Sequence, residues 1–394
     1  MFKGEFVMKK VNEALRHFAY QTRKCRPTVA ADMRTHCRIE RVNGGYFGDF
    51  WFLTPGCCHD MRGGCVMCNY SASDREYGEA EEDRVISELN KTVRKFPQTF
   101  EEFLMTPSGS MLDEREVSPR MREQLLSVLE HVRAKRFIVE TRADTVSEEG
   151  LRFLNRAVPG AEKYLEIGLE SSNDWTLKHC LNKSSTFQEF CGALEMAHAY
   201  GIRVIANVGL GFPFMSERVS VRQTIQTIRD ALQANADSIV IFPYHVKYGT
   251  LLDTLYCAGL YQCVSLWALI DVIEAFPTEQ NRLQISWYKD YYGNGLSYIR
   301  ASPTTCPHCV DAVYMALDAY RDSPNTSVFS NLHKCPSQCR AQWERKLSLE
   351  SAEIDIGEVE RMYRQLALRI PIEQELLELS LSEMKRDYEA LTHK

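Results

Sequence analysis

Apolar residues recur along this chain first at strand spacing, then at helix spacing, in repeated alternation. Tyr46 to Leu53 is an aromatic-rich run of strand length that stops at Thr54-Pro-Gly56. Val85, Leu89, Val93 and Phe96 then fall on one helical face. Phe103 to Thr106 reads as a second strand, and Met121, Leu125, Val128 and Val132 as a second helix. Arg136 to Glu140 is a third strand, followed by a short helix around Leu151 and Leu154. Tyr164 to Leu169 is a fourth strand. The helix after it carries Phe187, Phe190, Cys191 and Leu194 on one side, with Gly201 as its C-terminal stop. Val204 to Leu210, the helical set Val221, Ile225, Ile228 and Leu232, and the strand Ser238 to Phe242 complete the series. A further helix is expected over Leu251 to Ala275.

Six strand–helix units in series predict an α/β fold with a parallel sheet and helices outside. Right-handed crossovers curl such a sheet into a partial (β/α)6 barrel. The expected layout is an N-terminal helical extension at 1–45, the barrel at 46–287, and a cysteine-containing extension with a helical tail at 288–394. That tail reads as two helices parted at Pro371, with Leu376, Leu379 and Met384 among its apolar positions. In barrels of this kind chemistry gathers at the C-terminal ends of the strands. The segment after the first strand therefore lies on the reactive rim.

Composition changes the picture in two respects. The 394 residues carry a formal net charge of -6, which argues against a surface coated for nucleic acid and leaves only a local basic groove for that role. The chain also holds 14 cysteines, with no apolar run of membrane-spanning length and no secretory h-region at its start. A cytoplasmic location is the expectation. Thiols stay reduced there, and clustered cysteines read as metal ligands.

One cluster dominates: Cys57, Cys65 and Cys68, spaced Cys-x7-Cys-x2-Cys directly after the first strand. Three thiolates can hold three irons of a [4Fe-4S] cluster and leave the fourth open to a small molecule, where four cysteines would close it. Cys58 is the alternative first ligand, set aside because Gly56-Cys57 follows the strand end. A zinc site completed by His59, and a vicinal Cys57–Cys58 disulfide, are the competing readings. A second set, Cys306-Pro-His-Cys309 with Cys335-Pro-Ser-Gln-Cys339, also has metal spacing and suits structural zinc or a second [4Fe-4S] cluster, with His308 and His333 as alternative ligands.

Four stretches in order resemble the radical S-adenosylmethionine (radical SAM) superfamily. They are Gly56-Cys57 with Gly63-Gly-Cys-Val-Met-Cys68, Ser108-Gly-Ser-Met-Leu-Asp-Glu114, Glu140-Thr-Arg-Ala-Asp144, and Glu166-Ile-Gly-Leu-Glu-Ser-Ser-Asn-Asp174 with Leu181-Asn-Lys183. Within it the likeness is to the branch of the Elongator catalytic subunit, above all to the archaeosine-synthase radical SAM subunit and its relatives. The resemblance implies that Cys57, Cys65 and Cys68 hold the cluster and that its open iron chelates S-adenosylmethionine. Ser108, Gly109 and Ser110 would stand where the superfamily's small-residue turn meets the methionine amino group. Glu170 and Ser171 would meet ribose or carboxylate, and Gly209 and Gly211 would pass near the adenine. Glu140 and Arg142 would face cofactor or substrate, or form a rim ion pair. The resemblance further implies reductive cleavage to methionine and a 5′-deoxyadenosyl radical, with flavodoxin or ferredoxin as electron donor.

One stretch departs from the archaeosine subgroup, which is expected to carry a lysine and paired prolines after strand five. This chain has Gly211-Phe-Pro-Phe214 there. With the acidic balance and no evident RNA-binding module, this favours a small-molecule, nucleoside or amino-acid-adduct substrate. A tRNA-modifying enzyme of the same chemistry is the alternative, and a non-catalytic metal-binding scaffold the third reading. Tyr288, Tyr291, Tyr292 and Tyr298, near Lys289, Asp290 and Arg300, read as a polar-aromatic loop at the barrel mouth or a pocket lining. His245, at the end of strand six, is a candidate acid or base.

Overall fold

The computed structural model describes residues 11–24, 34–42, 44–70, 77–96, 98–289, 299–332 and 338–392. In chain order, α1 (Glu13–Arg23) and β1 (Thr35–Val42) precede β2 (Gly45–Phe52), α2 (Glu79–Arg94), β3 (Phe100–Pro107), α3 (Pro119–Leu129) and β4 (Ala134–Thr141). Then come α4 (Glu148–Arg156), β5 (Glu162–Glu170), α5 (Asp174–His179), α6 (Phe187–Ala199), β6 (Arg203–Leu210), α7 (Glu217–Gln233) and β7 (Ser238–Pro243). The rest comprises β8 (Val246–Lys247), α8 (Leu251–Cys257), α9 (Leu266–Glu274), β9 (Leu283–Ile285), β10 (Ile299–Ala301), α10 (Val310–Asp322), α11 (Cys339–Leu349), α12 (Ile356–Ala367) and α13 (Gln374–Thr392).

The main sheet runs β1-β2-β3-β4-β5-β6-β7-β9. From β2 to β9 every neighbouring pair is parallel, and β1 pairs antiparallel with β2. This is a partial barrel, as the alternation predicts. Strand side chains alternate between two surroundings. Phe50, Phe103, Phe137, Leu165 and Ile167 face the helices in the main core. Ile138, Tyr164, Ile205 and Val240 form a separate small cluster inside the curl.

The sequence expectation fails in three places. Thr35–Val42, within the stretch expected to be helical, is a strand; Cys37 and Ile39 pack toward the core between polar neighbours, which is period-two patterning. The helix expected over Leu251 to Ala275 is two, because Gly259 takes φ +71° after α8 and Ser265 caps α9 afresh, accepting from the Trp267 N–H (3.2 Å). A seventh parallel strand, β9, is only three residues long and too short to show a period.

The C-terminal helices part around Pro371 as expected, but they are not a free tail. The Trp175 Nε1–H donates to Met384 O (3.0 Å), and the Tyr363 hydroxyl to His179 O (2.7 Å). His179 bridges Asn12 Nδ2 (3.0 Å) and Asp387 Oδ2 (2.9 Å). The resulting second core joins α1, α5, α12 and α13 to Val66 of the cysteine loop. Both chain ends therefore buttress one rim loop.

Candidate radical SAM centre

The cysteine loop leaves β2 and is held from several sides. The Cys57 N–H donates to Tyr70 O (3.2 Å), and Val66 N–H to Leu181 O (3.0 Å). Asn182 Nδ2 donates to Gly64 O (2.6 Å). Gly63 and Gly64 both have positive φ, and a Cβ at Gly63 would come within 2.6 Å of Arg16 O. Only glycine fits where α1 covers the loop.

Burial pushes the Cys57 thiol up to about 12 and raises Cys65 as well; Cys65 also feels Cys68 and Cys57. The three cysteines are thus near enough for their charges to act on one another. Cys58 turns elsewhere: its sulfur and the carboxylates of Asp113 and Glu116 lie within 4.8 Å of one another. His59 Nε2 is committed to Asn182 O (2.6 Å), and burial lowers its pKa to about 4, so it is a neutral donor to a carbonyl.

Ser108-Gly109-Ser110 follows β3 and lies against the loop. A Cβ on Gly109 would sit 2.3 Å from Glu116 Oε2 and 3.5 Å from Cys57 Cα, so no larger residue fits there. Ser108 Oγ accepts from Thr54 N–H (2.8 Å), and Ser110 Oγ bonds Thr141 Oγ1 (2.6 Å). Both hydroxyls are used within the rim, and so are the Ser108 and Ser110 N–H groups, which donate to Phe52 O (3.0 Å) and Glu116 Oε2 (2.5 Å). The three-thiol donor set and the glycine-lined loop together fit a three-thiolate cluster.

Arg142, after β4, donates from Nη1 to Cys57 Sγ (3.3 Å) and Glu116 Oε1 (2.6 Å) and from Nη2 to Asp113 Oδ2 (2.6 Å). Glu170 ends β5 at φ +65°, a strained conformation at the rim. It accepts from Lys183 Nζ (3.1 Å) and the Tyr244 hydroxyl (2.9 Å). Ser171 is buried, and its Oγ accepts from Asn173 N–H (3.1 Å). A Cβ at Gly209 would strike Tyr244 Oη at 2.2 Å, and Gly211, at φ +97°, donates its N–H to Ser220 Oγ (2.8 Å). These two glycines admit the aromatic wall of the rim.

His245 does not serve as acid or base in this arrangement. Its Nε2 meets Trp287 O (2.9 Å), which forces that nitrogen to carry the proton, and Nδ1 then accepts from the Ser302 hydroxyl (2.9 Å). No lone pair is left for substrate; the ring latches the C-terminal extension to the rim.

Glu140 and Glu166 are cross-strand partners inside the barrel. Burial raises both; Glu140 also feels Glu166 and Asp49, while Glu166, at about 7, is held down by a bond from Asn207. A carboxyl whose folded pKa is raised binds a proton that the unfolded chain has released. Its contribution to stability is therefore largest below the ordinary Glu value and is lost as pH rises toward 7. Glu166→Gln is expected to flatten the fall in urea-unfolding stability over that window by on the order of 3 kcal/mol. An unchanged slope would place the proton elsewhere.

The second cysteine set comes together in part: the sulfurs of Cys306, Cys309 and Cys339 lie within 4.8 Å of one another. Cys335 and His333 lie outside the described residues, as do Asp290, Tyr291, Tyr292 and Tyr298. Tyr288 is buried, with its hydroxyl on Asp318, and Lys289 Nζ pairs with the same carboxylate (2.8 Å), so this part of the aromatic stretch packs on α10. Sequence reasoning assigned no role to Lys183, Glu116 or Glu166. The signal for Glu166 was a charge in the middle of an otherwise apolar buried strand, and Lys183 stood in a motif stretch without an assigned partner; Glu116 had no signal, because Cys58 and Arg142 are remote from it in sequence.

A parallel partial barrel with three clustered cysteines in the loop after its first parallel strand is the layout of a radical SAM enzyme. The Radical SAM superfamily profile matches residues 51–242. The chain belongs to that superfamily. It is 32% identical over 302 residues to archaeosine synthase subunit beta of Methanosarcina acetivorans, covering 76% of this chain and 84% of the relative. It is 27% identical to the protein of the same name from Thermococcus kodakarensis, over 73% of this chain and 87% of that one. The solved Elp3 of the archaeon Methanocaldococcus infernus, lacking its N-terminus, is 17% identical with a TM-score of 0.44, over 61% of this chain and 58% of that one. Among the described residues no helix is long and apolar enough to cross a membrane.

Proposed function

We propose that this radical SAM enzyme is a base-modifying subunit of the archaeosine-synthase type, acting on an amine-bearing adduct carried by tRNA. The observation that carries the reading is the 32% identity spread over 84% of archaeosine synthase subunit beta. This moves the tRNA alternative ahead of a free small molecule. A [4Fe-4S] cluster held by Cys57, Cys65 and Cys68 would supply, together with S-adenosylmethionine, one-electron reductive cleavage and hydrogen-atom abstraction from the substrate.

The chain's own residues orient and select. Ser108, Gly109 and Ser110 present backbone carbonyls to the methionine ammonium, and Lys183 and Glu170 offer one charge of each sign beside Cys65. Below them Glu140 feels the carboxylates of Glu166 and Asp49, which raise its pKa, and Lys247, which opposes them. An ammonium or amidine group on the substrate would complete that charge balance. A partner subunit would supply RNA contacts, consistent with the chain's net charge of -6. Flavodoxin or ferredoxin remains the expected reductant.

The test is anaerobic 5′-deoxyadenosine formation with dithionite as reductant. The rate is expected to rise when tRNA bearing a lysine-adduct base is added, and to stay at baseline with unmodified tRNA. A rise with the free nucleoside adduct alone, and none with tRNA, would replace this reading by the small-molecule one.

A further inference from the structure

We infer that Cys306, Cys309 and Cys339 hold a mononuclear zinc ion, not a second iron–sulfur cluster, and that this ion staples the C-terminal extension over the open edge of the barrel. The inference does not rest on the proposed substrate. It begins with spacing: the three sulfurs lie within 4.8 Å of one another, and those of Cys309 and Cys339 are 3.2 Å apart. Zinc bonded to thiolates at about 2.3 Å holds its sulfurs about 3.8 Å apart in a tetrahedron. A cubane cluster keeps its ligand sulfurs farther apart, because iron and sulfide atoms stand between them.

The surroundings are built for thiolate. Cys309 is the N-cap of α10 and Cys339 the first residue of α11, so two helix N-termini direct their positive ends at the sulfurs. The Trp267 Nε1–H of α9 donates to Cys339 Sγ at 3.3 Å, inside the core, where an indole is one of few donors that pack without a charge. Cys309 N–H also turns back to Cys306 O (2.9 Å), the tight Cys-x2-Cys turn that sets both sulfurs on one side.

The place of the site gives its role. β9 is the last strand of the main sheet and leaves an open edge. Tyr320 of α10 donates its hydroxyl to Leu283 O of β9 (3.2 Å), and Asp318 of α10 receives Lys289. A metal at the start of α10 and α11 fixes both helices to α9 and so keeps that edge covered.

The decisive material is the full chain with Cys57, Cys65 and Cys68 all changed to alanine, offered iron, sulfide and zinc together under anaerobic conditions. Any metal it keeps reports on the second site alone. The expected result is one zinc per chain, no bound iron, and a zinc X-ray absorption edge dominated by sulfur neighbours. Cys309→Ser is expected to lose the zinc, and Trp267→Phe to weaken it by about 10–100-fold in chelator competition. Iron and sulfide retained in the triple variant would overturn the inference, and so would a chain that binds neither metal. Should the triple variant fail to fold, the zinc edge of the unaltered protein decides: sulfur neighbours support the site, and their absence sinks it.

Discussion

Cys65→Ala is expected to strip the protein of bound iron, of its visible absorbance and of 5′-deoxyadenosine formation together, leaving the background of cluster-free protein. Cys65 is half-buried, and its sulfur feels those of both Cys57 and Cys68. Two remaining thiolates would leave two irons without a protein ligand. Cys58→Ala is the internal control. Its sulfur faces Asp113 and Glu116, and its backbone N–H, which the substitution keeps, is what ties Cys58 to Glu116 Oε1 (2.7 Å). That variant is expected to retain cluster and activity. Iron retained by Cys65→Ala would remove Cys65 from the triad, and iron lost by Cys58→Ala would show that the first ligand has been misassigned.

How much of this was legible in the sequence depended on the range of the interactions. The six long parallel strands were readable, because strands buried on both faces need continuous apolar runs and the helices between them need a 3.6-residue period. The three cysteines were readable because their spacing is local. β9 was not, since three residues carry no period. Nor was the role of Glu116, whose partners Cys58, Ser110 and Arg142 come from three separate rim segments and meet only once the barrel has formed. His245 was readable as a rim residue but not as a latch, because its partners Trp287 and Ser302 lie 42 and 57 residues further along the chain. Local pattern therefore marked the candidate ligands, while the residues packed around them appeared only with the fold.

Arg142→Gln tests that holding role, with two effects of known sign expected. The guanidinium is the junction of the rim: it touches Cys57, Glu116, Asp113 and Asp144. Glu116 in turn accepts from the N–H groups of Cys58 (2.7 Å) and Ser110 (2.5 Å), so this one carboxylate joins the cysteine loop to the Ser108–Ser110 turn. The Glu116 and Asp113 side chains are 0% and 4% exposed. Arg115 still pairs with Asp113 (2.7 Å), but Glu116 is left without its cation, which is expected to lower unfolding stability by about 3–5 kcal/mol, measured by chemical denaturation of the cluster-free chain. The second effect is electronic. A positive charge and an N–H donor on Cys57 stabilise the reduced state of a cluster bound there. Their loss is expected to move its midpoint potential to a more negative value in an EPR-monitored titration. Glu116→Gln leaves the cation and removes the anion that offsets it, so its potential is expected to move in the positive direction. Opposite shifts in the two variants would establish Arg142 as a tuning residue. Equal potentials with reduced stability would leave it a brace alone, and unchanged stability would remove even that role.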